Sequence, residues 1–179
     1  GILILLRDTK YTKSKDDSEL PKVSIIIPAH NEEKIIYERL KNIVENSYPK
    51  DKIEIIVVDD ASEDETYKEV EKFFRDFNVD GKIIKLHKRS GTNAAFNKGF
   101  SKASGEVIIT TGADVFFENG AIERVVNVLL SHEGLGAVCG DMRPLNILKD
   151  APATLTERTY RNFYSTICEF ECKLDSTFC

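Results

Sequence analysis

Two β-branched runs, Val23-Ser-Ile-Ile-Ile27 and Ile53-Glu-Ile-Ile-Val-Val58, constrain this chain more than any other feature, because each is followed by a segment with apolar residues at helical spacing. Strands that are apolar almost throughout are strands covered on both faces. Their alternation with helices is the mark of βαβ units and a mainly parallel sheet. Pro28 is expected to end the first strand. From Glu32 onward Ile35, Ile36, Leu40, Ile43 and Val44 share one helical face up to Tyr48-Pro49. Tyr67, Val70, Phe74 and Phe77 line a second helix. The pattern then predicts strands over Lys82–Leu86, Val107–Thr111 and Leu135–Cys139, with helices carrying Phe96, Gly99 and Phe100 and then Ile122, Val126 and Leu129. A last aromatic helix is expected over Thr154–Lys173.

The chain has 179 residues, 41% hydrophobic and 31% charged, which suits one globular domain able to bury a core without disulfides. Its net charge of -5 argues against a nucleic-acid partner or non-specific coating of an anionic membrane. Cys139, Cys168, Cys172 and Cys179 have no paired CxxC spacing and read as reduced thiols. At the N-terminus, Ile2–Leu6 is apolar but far shorter than the roughly 20 residues that span a bilayer. Two readings stand for it: the stub of a removed transmembrane helix, with Arg7–Glu19 as its juxtamembrane linker, or an edge strand or disordered chain end. The expected organisation is residues 1–20 as stub and charged linker and residues 21–179 as the folded domain.

In an open parallel sheet, ligands bind beyond the carboxyl ends of the strands. Three loops lie there: Pro28-Ala-His-Asn-Glu-Glu33, Asp59-Asp-Ala-Ser-Glu-Asp64 and Gly112-Ala-Asp114. All three are acidic, and like charges gathered in a cleft raise one another's pKa unless a cation sits among them. A divalent ion is the simplest compensation. Mg2+ or Mn2+ takes a few carboxylates plus substrate phosphate oxygens, so Asp114 with a diphosphate is a sensible ligand set. Ser62 and Asp64 are read more simply, as caps of the following helix.

Taken in order, these segments resemble family 2 glycosyltransferases. Val23-Ser-Ile-Ile-Ile-Pro-Ala-His-Asn-Glu-Glu33 is similar to their opening strand and loop, and Ile55-Ile-Val-Val-Asp-Asp-Ala-Ser-Glu-Asp64 to their second strand with its base-binding acid. The Asn97 helix, the Ala103-Ser-Gly-Glu106 turn and the Asp114 loop extend the likeness over about Pro21 to Asn146. The resemblance implies a Rossmann-like GT-A fold of the α/β class, a mainly parallel sheet flanked by helices, with its C-terminal part missing. It implies nucleotide contacts from Pro28, His30, Glu32, Asp60, Gly91 and Ala113, metal binding by Asp114 and a sugar contact from Asp141. The implied reaction is inverting transfer from a UDP or GDP sugar to a glycan or lipid-linked acceptor, with Mg2+ or Mn2+. Gly136-Ala-Val-Cys-Gly-Asp-Met-Arg143 is similar to membrane-associated polysaccharide synthases. That likeness implies a site at the cytoplasmic face of the membrane or in the cytoplasm, with any membrane association made by segments outside this chain.

The chain departs from the family pattern at two points. Gly112 stands where the first aspartate of the Asp-x-Asp metal motif is expected, which favours an alternative reading as a catalytically impaired nucleotide-sugar-binding or regulatory module. Thr92 follows Gly91 where relatives often carry a basic residue, leaving Lys88 or Arg89 to meet a phosphate. The general base is expected beyond Cys179. Asp141 and Glu157 are candidates within the chain, and neither takes the catalytic role on its residue pattern. A nucleotidyltransferase is disfavoured, because the loop after the first strand is acidic and lacks Gly.

Overall fold

A computed structural model describes residues 2–6, 20–131 and 135–140. Six strands form one sheet: β1 (Ile2–Leu6), β2 (Val23–Ala29), β3 (Ile53–Asp59), β4 (Asp80–Lys85), β5 (Val107–Thr110) and β6 (Ala137–Gly140), in the order β4-β3-β2-β5-β1-β6. The four strands from β4 to β5 run parallel. β1 lies antiparallel between β5 and β6, so the short N-terminal apolar run is an interior strand rather than an edge strand.

Four helices connect the strands among the described residues: α1 (Ile36–Val44), α2 (Thr66–Asp76), α3 (Thr92–Phe100) and α4 (Ala121–Ser131). Because strand side chains alternate between faces, Ile25, Ile27, Ile55, Val57 and Ile109 pack with α1, α2 and α4. Ile26, Ile56, Val58 and Ile108 pack with α3 on the other face. Both faces are therefore dry, as the unbroken apolar runs require. Burying each such Ile or Val contributes about 1.5–3 kcal/mol, so a charged residue inside these strands is tolerated only when fully partnered.

Glu54 is that exception. It is fully buried in β3. Its carboxylate accepts the Ser104 N–H at 2.8 Å and is bonded to Ser24 Oγ and Lys82 Nζ. The cluster fastens the turn before β5 to the start of β2. Gly105 completes the join: a Cβ there would stand 2.6 Å from the Ser24 nitrogen and 2.8 Å from the Lys22 carbonyl oxygen, so only glycine fits.

Pro28 does not end β2. The strand runs on to Ala29, with Pro28 paired to Val58 of β3. The ladder to β5 stops at Ile26–Thr110, so the missing N–H of Pro28 falls beyond the last pairing on that side and breaks no bond. The other strand boundaries fall within two residues of expectation, and α2 begins at Thr66, just ahead of its apolar pattern, whereas α1 is confined to Ile36–Val44, inside the stretch from Glu32 to Tyr48. The last helix expected, over Thr154–Lys173, lies outside the described residues.

Candidate active site

The parallel register brings the ends of β2 and β3 level, Ala29 opposite Asp59, and sets the end of β5 beside them. The first two loops are stitched together by side chains acting on backbone. Asn31 N–H donates to Ser62 Oγ at 3.0 Å, and Asn31 Oδ1 accepts the Glu63 N–H at 2.9 Å. Glu32 N–H donates to Thr66 Oγ1 at 2.7 Å, Glu33 N–H to Asp64 Oδ2 at 3.2 Å, and Glu65 N–H to Glu33 Oε2 at 3.0 Å. Asn31 reaches this geometry with φ 58 and Ala61 with φ 57; the left-handed region suits Asn and costs Ala about 1–2 kcal/mol. Neither expected cap takes that place: the N-cap of α2 is Glu65, Asp64 accepts the Thr66 N–H at 3.0 Å from one residue earlier, and Ser62 ties the loops together.

Asp60 is almost fully buried, at 5% exposure, and its carboxylate already holds the segment leading into α3. Oδ1 accepts the Ser90 N–H at 2.7 Å and Oδ2 the Gly91 N–H at 2.8 Å. Gly91 presents that N–H from φ 86, which favours glycine. Each oxygen keeps a second lone pair for a further donor. The neighbouring Asp59 accepts the Ser62 N–H through Oδ1 at 2.9 Å, while its buried Oδ2 has no partner among the described residues. His30 Nδ1 lies 2.9 Å from the Asp60 carbonyl oxygen. A carbonyl only accepts, so Nδ1 carries a proton; Nε2 lies 3.4 Å from Asn31 Nδ2.

Glu32 joins the first loop to the third. Burial raises its pKa, the charges of Asp114 and Asp64 raise it further, and His30 opposes them. Charges from the second and third loops thus act on Glu32 of the first. Asp114 itself is exposed, whereas Ala113 beside it is buried at 4% exposure. A Cβ on Gly112 would lie 2.6 Å from Asp114 Oδ1, so the Asp114 carboxylate is folded back over the bare glycine.

One cation belongs to the protein. Arg39 on α1 is 0% exposed, stacks its guanidinium 4.2 Å from the Phe117 ring centre, and donates from Nη2 to Thr111 Oγ1 at 3.3 Å. Nε reaches the Gly112 carbonyl at 3.5 Å, and Nη1 donates to Asn42 Oδ1 at 3.0 Å. Burial pushes its pKa down to about 9 while the Asp114 charge pulls it back up, so it stays cationic at neutral pH. Arg39 is not among the site residues expected from the sequence. The signal was available: Arg39 stands three residues after Ile36 and four before Ile43, on the helix face that packs inward.

Among the described residues no group of three or more His, Cys, Asp or Glu side chains is clustered to hold a metal ion. The donor set fits a Mg2+ or Mn2+ held mainly by diphosphate oxygens and one carboxylate, Asp114, and does not fit an all-protein cage. Lys88 and Arg89 are exposed just before Gly91. Asp141 and Glu157 lie outside the described residues, and no helix among those described is long and apolar enough to cross a membrane.

Comparison with known proteins bears on the family and the fold. Residues 24–175 match the family described as Glycosyl transferase family 2. The chain is 41% identical over 133 residues to the probable glycosyltransferase YdaM of Bacillus subtilis, covering 73% of this chain and 32% of that protein. It is 34% identical over 125 residues to the glycosyltransferase AglE of Haloferax volcanii, covering 70% of this chain and 40% of that protein. It thus spans about a third of the length of these curated relatives. Among solved structures, the mannosyltransferase PcManGT of Pyrobaculum calidifontis in complex with GDP-Man and Mn2+ superposes with a TM-score of 0.60 at 31% identity, over 68% of this chain and 34% of that one. A Staphylococcus aureus TarS structure in complex with UDP-GlcNAc superposes with a TM-score of 0.57 at 30% identity, over 62% of this chain and 32% of that one. With a GT-A sheet, acids at its carboxyl edge and the family pattern running through most of its length, the chain belongs to glycosyl transferase family 2.

Proposed function

We propose that the protein of which this chain is part transfers a sugar from a uridine or guanosine diphosphate sugar to a glycan or lipid-linked acceptor, with inversion and with Mg2+ or Mn2+ assistance. The observation that carries the reading is the nearly buried Asp60, whose carboxylate is held by two backbone N–H groups at the edge of the sheet where Asp114 stays exposed. In this reading Asp60 uses its remaining lone pairs to accept an N–H of the base. Pro28, His30, Glu32, Gly91 and Ala113 line the nucleotide, and Asp141 meets the sugar. Asp114 holds the cation, which when bound would neutralise charge on the departing diphosphate. The neighbours solved with GDP-Man and Mn2+ and with UDP-GlcNAc support a donor of this class. A cytoplasmic or cytoplasmic-face location, with membrane association made by segments outside this chain, belongs to the same proposal.

A second reading, a nucleotide-sugar-binding or regulatory module without turnover, is favoured by Gly112 in place of a second carboxylate. Calorimetric titration of the full-length gene product with UDP and GDP, in Mn2+ and in EDTA, tests the donor site. One nucleotide binding only with metal supports the proposal, and absence of binding to either in Mn2+ refutes it. Transfer or hydrolysis of the matching sugar nucleotide then separates the transferase from the binding module.

A further inference from the structure

We infer that Arg39 is the positioning residue for the metal-binding loop of the proposed donor site, clipping residues 111–118 to helix α1 and setting a fixed positive charge behind Asp114. The inference rests on that reading of the site and adds to it a group that never meets the ligand. Two side chains of α1 and one just beyond its end hold the segment along its length. Arg39 grips its start through Thr111 Oγ1 and the Gly112 carbonyl. Asn42, three residues on, accepts the Phe117 N–H at 2.8 Å and donates to the Phe117 carbonyl at 2.9 Å. The same Asn42 oxygen accepts from Arg39, and Asn46 Nδ2 reaches the Glu118 carbonyl at 2.9 Å.

The guanidinium is matched to this task. Its planar fork serves three acceptors at once while its face rests on Phe117, which a lysine ammonium on a flexible stem does not reproduce. None of its three acceptors is a carboxylate, so its charge is not spent on an ion pair and acts on the one acid in front of it, Asp114. Gly112 leaves the loop with no side chain at its first position, and the clip from below supplies the restraint that the chain itself lacks there.

The test uses the full-length gene product as wild type, Arg39→Met, Arg39→Lys and Asn42→Ala, with two readouts. Amide hydrogen exchange in the ligand-free protein should rise by about tenfold or more across 111–118 in Arg39→Met, with β2 and β3 unchanged. Affinity for UDP or GDP in Mn2+ should fall about tenfold or more, with Arg39→Lys recovering only part of the loss. Asn42→Ala should loosen the same segment without leaving a buried charge, which keeps the test available if Arg39→Met does not fold. Unchanged nucleotide affinity in Arg39→Met, or faster exchange spread evenly through the sheet, overturns the inference. Absence of nucleotide binding by the wild type would refute the proposed function alone, and the exchange pattern would still decide whether Arg39 clips the loop.

Discussion

The two ends of the sheet each bury a charge, and they treat it differently. At the amino end Glu54 is saturated by Ser24, Lys82 and the Ser104 N–H, and the cluster locks a turn. At the carboxyl end Arg39 is satisfied by neutral partners, while Asp114 in front of it stays exposed and its charge raises the pKa of Glu32. A charge whose every partner lies within the protein is part of the scaffold. An exposed acid with no ion-pair partner is, in the proposed function, the one that meets the ligand.

Substitutions at the two ends should therefore fail in different assays. Asp114→Ala should reduce metal-dependent nucleotide affinity by about 100-fold in calorimetry and leave the urea midpoint unchanged. A matching drop in stability would make Asp114 scaffold and erase the contrast. Glu54→Ala should do the reverse. It deprives Ser104 N–H and Ser24 of their buried acceptor, so urea denaturation should show a loss of about 2–3 kcal/mol, with nucleotide affinity intact in the protein that remains folded.

The contrast also has a pH signature. Hydrogen bonds from Lys82, Ser24 and Ser104 outweigh the burial that opposes them and hold the Glu54 carboxyl at about 2, below its ordinary 4.5. The stability this carries is complete above pH 4.5 and disappears as pH falls toward 2. Circular dichroism across that window should show acid unfolding that is shallower in Glu54→Gln. Glu32 has the opposite sign: its raised pKa means that its contribution to stability is lost as pH rises through the folded value.

Gly112→Asp sharpens the comparison further. The new Cβ meets only the flexible end of Asp114, which can rotate aside. The variant should bind nucleotide several-fold more tightly in Mn2+, through a second carboxylate, and gain nothing in EDTA. The smallest effect is expected at Ala61, where Ala61→Gly relieves a left-handed backbone and should raise stability by about 0.5 kcal/mol in the same urea assay.

Much of this was legible in the residues. The parallel strands announced themselves because burial on both faces permits little but Ile and Val, and the acidic loops followed from where such strands end. Pro28 was misread because a proline in a central strand ordinarily costs a ladder bond, and only the early stop of β5 removes that cost. Arg39 and Glu54 were passed over for a shared reason. A charged residue among apolar neighbours reads as solvated unless its periodic position is weighed above its type, and their partners lie 72 and 50 residues away in sequence. The interior place of β1 had no local signal, since pairing with β5 and β6 is decided by chain segments more than a hundred residues downstream.

That placement has a practical bearing on any engineered fusion. β1 runs against the parallel strands, with Leu3 opposite Thr110 and Leu6 opposite Val107, so the chain enters the sheet at the carboxyl edge and leaves it at the other. A reporter inserted just before β1 would sit beside Thr110 and Gly140, on the edge of the sheet that carries the proposed donor site. If the proposal holds, a tether there would crowd the edge at which the nucleotide binds, whereas a tether on the opposite edge would leave it clear.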